Sequence, residues 1–183
     1  MSVVVVDYGA GNTRSVRAAF ARLGVTASLS ADPDEVEGAE FVVLPGVGSA
    51  RSAMAHLAST GVAGALRRRY AADAPILGIC LGLQLAMDTS EEDGGVDGLG
   101  LVEGTVTRLT GDRVPRLGWA TVDPWGETYY FAHSFAVHSA FAVATSEGVT
   151  AAVRAGAFLG VQFHPEKSGP AGVAFLDRCR TAA

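Results

Sequence analysis

Pro75-Ile76-Leu77-Gly78-Ile79-Cys80-Leu81-Gly82-Leu83-Gln84 is the stretch that decides how this chain folds. An apolar run over Pro75 to Ile79 passes without a spacer into a helical pattern over Leu81 to Met87. A short, wholly apolar strand is one buried on both faces, and a strand feeding straight into a helix is half of a βαβ unit. The same alternation extends upstream. Val3 to Val6 reads as a first strand, and Tyr8-Gly9-Ala10-Gly11-Asn12 as a turn. The next helix places Val16, Ala19, Phe20 and Leu23 on one face and stops at Gly24. Val25 to Leu29 predicts a strand, Asp32-Pro33 a capped helix start, and Phe41 to Leu44 another buried strand. Pro45-Gly46-Val47-Gly48 is a loop at the end of that strand, followed by helices over Ala50 to Ala58 and Gly61 to Ala71.

Downstream of Asp88 the texture changes. Ser90 to Gly100 is an acidic, glycine-rich loop. Strands are predicted at Leu101 to Leu109, Tyr129 to Phe131, Phe141 to Ala144, Ala151 to Arg154 and Phe158 to Phe163, with a closing helix near Ala171 to Cys179. The expected fold is α/β: a mostly parallel central sheet flanked by helices, flavodoxin-like, with an added antiparallel layer. One domain is expected over residues 1–183.

Composition narrows the function. The chain has 183 residues, 49% of them hydrophobic, which is enough for a sizeable core. No apolar run reaches the roughly 18 residues of a membrane span, and the first residues lack the basic start of a signal peptide. A cytoplasmic protein is expected. The net charge of −5 disfavours nucleic acid or an anionic membrane as partner. The basic run Arg67-Arg68-Arg69 reads as a solvated helix face. Neither cysteine belongs to a disulfide framework, and His56, His133, His138 and His164 have no metal-ligand spacing, so no metal or cofactor is expected. Cys179 reads as an inert helix residue.

Cys80 is different. It lies between a strand and a helix, where open α/β sheets bind ligands. Gly78 and Gly82 flank it as in a nucleophile elbow, with cysteine in place of serine. A helix N-terminus there favours thiolate. A buried core cysteine packed between glycines would leave the same pattern. A second motif, Gly160-Val161-Gln162-Phe163-His164-Pro165-Glu166-Lys167, supplies what the first lacks. Pro165 biases His164 towards extended backbone, and in an extended chain His164 and Glu166 project together. A carboxylate on one imidazole nitrogen leaves the other to exchange a proton with Cys80. His133 and His138 have no comparable acid, and His56 fits a helix surface.

Three of these elements together, Gly78 to Gln84, Pro45 to Gly48 and Gln162 to Glu166, resemble the class I (triad) glutamine amidotransferases. Further motifs resemble the glutaminase subunits of imidazole glycerol phosphate synthase. They are Asp7 to Asn12, Pro115-Arg116-Leu117-Gly118-Trp119, His133-Ser134 and Glu166-Lys167-Ser168, in family order across residues 7–168. The resemblance implies glutamine hydrolysis by Cys80, His164 and Glu166, with ammonia delivered to a separate (β/α)8-barrel cyclase in histidine biosynthesis. It implies an oxyanion hole at Val47, Gly48 and Leu81, since glycines on both sides of Val47 let that peptide turn over. It places the substrate on Gly48, Gln84, Glu92, Ser134 and Phe135. It places Asn12, Trp119 and Lys167 near the cyclase. Ala120 stands where the family usually has Asn, and Phe135 where it often has Tyr. A glutaminase serving pyridoxal phosphate synthesis is the neighbouring alternative, but that group resembles Pro-Gly-Gly-Glu-Ser where this chain has Pro45-Gly46-Val47-Gly48-Ser49.

Overall fold

The computed structural model describes residues 1–9, 12–111 and 114–182. Its elements run β1 (Val3–Val6), α1 (Thr13–Ala21), β2 (Ala27–Ser30), α2 (Pro33–Gly38), β3 (Phe41–Leu44), α3 (Ala50–Ser59), α4 (Val62–Ala71), β4 (Ile76–Ile79) and α5 (Leu81–Leu85). They continue β5 (Thr89–Ser90), β6 (Val96–Asp97), β7 (Thr105–Arg108), β8 (Arg116–Thr121), β9 (Thr128–His133), β10 (Phe135–His138), β11 (Ala142–Ser146), β12 (Val149–Ala155), β13 (Phe158–Val161) and α6 (Gly169–Thr181).

The central sheet has the order β11-β12-β13-β4-β3-β1-β2. From β13 to β2 every pairing is parallel, and β12 and β11 add antiparallel strands at one edge. Side chains of successive residues point to opposite faces, so the apolar strands feed two cores. Val4, Val6, Val42 and Leu44 pack with α3 and α4 residues such as Leu57 and Leu66. Val3, Val5, Val43, Leu77 and Ile79 pack on the other face with Phe20 of α1 and Phe175 and Leu176 of α6. Each fully buried aliphatic side chain contributes about 1.5–3 kcal/mol, which is why these short strands need no polar face. The added layer is a 4-stranded sheet, β10-β7-β5-β6, antiparallel except for the parallel β7–β5 pair, with a 2-stranded antiparallel hairpin of β8 and β9. No helix among the described residues is long and apolar enough to cross a membrane.

Four sequence expectations need correction. The strand predicted over Leu101 to Leu109 is confined to β7. The preceding residues instead satisfy carbonyls at the end of α5: Leu99 N–H donates to Leu85 O at 2.7 Å and Leu101 N–H to Ala86 O at 2.9 Å. These contacts follow the helix end at Leu85, short of the expected Met87. Strands β8 and β10 were not anticipated; β8 turns its large apolar residues Leu117 and Trp119 outward, opposite to the usual pattern. Finally, Arg69 is buried rather than solvated. Its guanidinium donates to the carbonyls of Glu37 at 2.8 Å, Ala39 at 2.6 Å and Pro75 at 2.9 Å, tying α4 to the α2–β3 connection. Arg68 keeps the expected exposed position, paired with Glu37.

Candidate active site

The sheet order brings the motifs together. β4 lies between β3 and β13, and all three run parallel. Their C-terminal ends therefore deliver Cys80, the Pro45 to Gly48 loop and His164 to one edge, although the three are far apart in sequence.

Cys80 has φ 51 and ψ −103, a conformation that a non-glycine residue rarely adopts. Its N–H is held by Val161 O at 2.7 Å. The flanking glycines make the elbow possible by close approach. A Cβ on Gly82 would lie 2.0 Å from Leu44 O, and one on Gly78 would lie 2.9 Å from Gly82 backbone atoms. Gly46 belongs to the same contact: a Cβ there would lie 2.4 Å from Leu81 N. The loop after β3 is thus pressed against the start of α5, beside the Leu81 N–H. Tyr8 helps to hold it, donating its hydroxyl to Pro45 O. Burial, reinforced by Cys80, pushes the Tyr8 phenol above its ordinary value, so it stays a donor.

His164 and Glu166 form a buried pair, with Nδ1 to Oε1 at 2.8 Å and both side chains 1% exposed. The geometry differs from the extended segment expected. His164 is extended, but Pro165–Lys167 is a 3-10 turn, closed by Lys167 N–H to His164 O at 3.0 Å. Proline at its first position sets the turn and folds Glu166 back on the imidazole. The His164 backbone is clamped to β9: its N–H donates to Tyr130 O at 2.8 Å, and Ser168 Oγ bonds His164 O at 2.7 Å. Burial alone would lower the imidazole. Interactions with Cys80 and with the Glu166 carboxylate outweigh it and raise His164 to about 9. The Glu166 Oε1 atom also accepts from Asn12 Nδ2 at 2.5 Å. Asn12 therefore spends its side-chain amide on the carboxylate that is paired with His164.

A cavity of about 250 Å³ opens over the elbow, lined by Gly46, Val47, Gly48, Cys80, Leu81, Gln84, Glu92, Ser134 and Phe135, among others. Every expected oxyanion and substrate residue is there. Ser49 caps α3, and its Oγ together with the Arg51 N–H holds Asp93, which brings the loop bearing Glu92 to the cavity. Burial and the neighbouring Asp93 raise Glu92, and a bound cation there would draw it back to carboxylate. Gln84 is less simple. Its Nε2 donates to both Phe135 O and Gln162 Oε1 at 3.1 Å, so both amide protons are committed inside the protein. It offers none to a carboxylate.

Of the residues expected near a partner, Trp119 is 58% exposed on the hairpin, beside Leu117 at 64%. Its ring meets Tyr130 edge-on, with centroids 6.0 Å apart. Lys167 is also exposed, one residue from Glu166. Expected turn residues Ala10 and Gly11 lie outside the described residues.

Sequence reasoning passed over His133, Gln162 and Tyr8 as working residues. His133 lines the cavity; its Nδ1 bonds Phe135 O at 2.8 Å, while Nε2 is buried with no partner among the described residues. Burial lowers this imidazole to about 4, with Arg116 and His164 adding to the fall, so it is neutral. The only sequence signal was its place beside Ser134. A larger cavity, about 800 Å³, lies at the other end of the sheet, lined by Phe41, Ile76, Phe175 and Cys179 among others. Its one thiol, Cys179, is pushed up to about 12 by burial and stays protonated. No cluster that could hold a metal ion occurs among the described residues.

Residues 4–181 match the family model for glutamine amidotransferase class-I. The chain is similar to the imidazole glycerol phosphate synthase subunit HisH of Symbiobacterium thermophilum, 43% identical and covering 95% of this chain and 91% of that one. It is similar to the same subunit of Exiguobacterium sibiricum, 40% identical over 97% and 94% of the two chains. The crystal structure of a glutamine amidotransferase superposes with a TM-score of 0.81 at 20% identity, covering 98% of this chain and 100% of that one. At that identity the likeness is one of fold.

Proposed function

Since the chain belongs to the class-I glutamine amidotransferases, and within them to the glutaminase subunits of imidazole glycerol phosphate synthase, we propose that Cys80, His164 and Glu166 hydrolyse glutamine through a thioester and pass the ammonia to a (β/α)8-barrel cyclase. The family makes it a glutamine amidotransferase of histidine biosynthesis and one subunit of a complex. The finer mechanism rests on one observation: a cysteine at positive φ in a cavity, delivered to the same sheet edge as an imidazole whose Nδ1 is held by a buried carboxylate.

The His164 ring takes the thiol proton at Nε2, because Nδ1 is engaged by Glu166. The sulfur attacks the amide carbon of glutamine. Charge moves to the carbonyl oxygen, where the Leu81 N–H and the Val47–Gly48 loop supply donors. The imidazolium then protonates the departing nitrogen, and ammonia leaves. Water, deprotonated by His164, adds to the thioester carbon, sulfur is expelled, and glutamate is released. Backbone N–H groups at Ser134 and Phe135 suit the substrate carboxylate, Glu92 suits its ammonium, and Gly48 lies along the amide. Gln84 acts through Phe135, whose carbonyl it holds. Ammonia set free in bulk water would be protonated and lost, so the exposed Leu117, which lines the cavity, and the exposed Trp119 on the same strand suit a face that seals against the cyclase.

The test is glutamate release by the complex with the cyclase and its nucleotide substrate. Cys80→Ala abolishes release while ammonia-dependent cyclase activity persists. Continued hydrolysis of glutamine by that variant would refute the role of Cys80.

A further inference from the structure

Gln162 is 0% exposed and stands between the substrate residues and the nucleophile, yet no step above uses it. Its Nε2 lies 3.5 Å from Cys80 Sγ, and its Oε1 lies 3.1 Å from Gln84 Nε2. A buried amide needs partners for both ends, and here the identity of each end is forced. The Phe135 carbonyl can only accept. It receives His133 Nδ1 at 2.8 Å and Gln84 Nε2 at 3.1 Å, so Gln84 must turn its nitrogen that way. The same nitrogen meets Gln162, which must answer with its oxygen. Gln162 is left with an N–H for the sulfur.

A neutral thiol accepts that N–H only weakly, because its sulfur is a poor acceptor. The thiol has its own acceptor, Ala132 O, at 3.9 Å from Sγ. A sulfur that has lost its proton has only lone pairs, and the Gln162 N–H then becomes its partner. We propose that Gln162 is the donor that receives negative charge on Cys80 sulfur, and that it acts chiefly when sulfur is expelled from the glutamyl thioester. This rests on the glutaminase mechanism above.

In the first half of the cycle the S–C bond forms, charge passes from sulfur to the substrate oxygen, and the donor is relaxed. In the second half, water gives its proton to His164 and its oxygen to the thioester carbon. The tetrahedral adduct then collapses: the C–S bond breaks and its electron pair returns to sulfur, against the Gln162 N–H. His164 gives its proton back to sulfur, restoring the thiol. Loss of the donor therefore slows deacylation more than acylation. The first step is partly protected, since a less stabilised thiolate is also a better nucleophile.

The experiment compares Gln162→Met with wild type in the complex with the cyclase and its nucleotide substrate. Met fills similar volume and lacks the donor. The expected result is a fall of about tenfold in kcat, the scale of one hydrogen bond to a charged atom. KM for glutamine falls with it, kcat/KM changes less, and quenched samples show the glutamyl adduct on Cys80 by intact-mass spectrometry. Gln162→Leu likewise lacks a donor and a titratable group, and gives the same pattern should the Met variant fold poorly. A raised KM with no adduct, or wild-type kinetics in a folded variant, overturns the proposal. A wild-type complex that releases no glutamate would instead overturn the glutaminase mechanism on which it rests.

Discussion

Replacing Glu166 by Gln is informative because the structure predicts a moderate loss where triad logic by itself predicts a severe one. Exchanging the orienting carboxylate of a triad for an amide costs about 10⁴ in turnover when the amide inverts the imidazole tautomer. Here Oε1 accepts two hydrogen bonds, from His164 Nδ1 and Asn12 Nδ2, while Oε2 has no partner among the described residues. In the Glu166→Gln variant the new amide can place its oxygen at the Oε1 position, keep both donors, and put its NH₂ at the vacant position. The tautomer survives and only the charge is lost. His164 stands at about 9 against an ordinary 6.5, an interval worth about 3 kcal/mol. Cys80 and Glu166 share that rise, against burial. Removing the carboxylate charge therefore lowers the imidazole and costs on the order of tenfold in the imidazolium form, the scale of about one pKa unit. The sign follows from the direction of the shift. In the proposed mechanism the imidazolium protonates the leaving nitrogen, and that form is present below the pKa of His164 and lost above it. Lowering that pKa moves the alkaline limb of the rate profile from near 9 towards neutrality. The assay is glutamate release by the complex across pH 6 to 10, roughly the span over which such an imidazole titrates. A loss near 10⁴ with an unmoved limb would refute the retained tautomer, and an unchanged profile would refute the role of the Glu166 charge.

Three further outcomes are expected. Gly82→Ala puts a Cβ 2.0 Å from Leu44 O, so either β3 or the elbow must move by more than an ångström; a displacement of that size costs on the order of 10²-fold in rate, read as glutamate release with thermal unfolding as control. Asn12→Ala removes a donor to Glu166 and lowers glutamate release about tenfold without weakening the complex, while Trp119→Ala weakens binding to the cyclase by about 2 kcal/mol, as measured by calorimetry; the reverse pairing would return Asn12 to the interface.

Much of the site was legible because its pieces are local. The elbow is written into five consecutive residues, Gly78 to Gly82, since a nucleophile on a strand-to-helix turn leaves no room for side chains two residues away. The His164-Pro165-Glu166 run was equally readable as a base and its orienter, although the turn that joins them was mistaken for extended chain. Proline restricts both its own φ and its neighbour, and only the packing of Ser168 and β9 around His164 settled which constraint prevailed. Strand β8 was missed because exposed Leu117 and Trp119 invert the pattern by which a half-buried strand is recognised.

The sequence by itself determined the alternation of buried strands and helices, the glycine-flanked elbow at Cys80 and the His164-Pro165-Glu166 run, because each depends on residues adjacent in the chain. Only the tertiary structure decided what meets across it. Strand order placed β3, β4 and β13 side by side, so that three distant loops share one edge. It turned Asn12 onto Glu166, buried Arg69 among four carbonyls, and set Gln162 against the sulfur. Hydrogen bonds over such separations leave no periodicity in the chain. They follow from the directions in which packed backbones point their side chains.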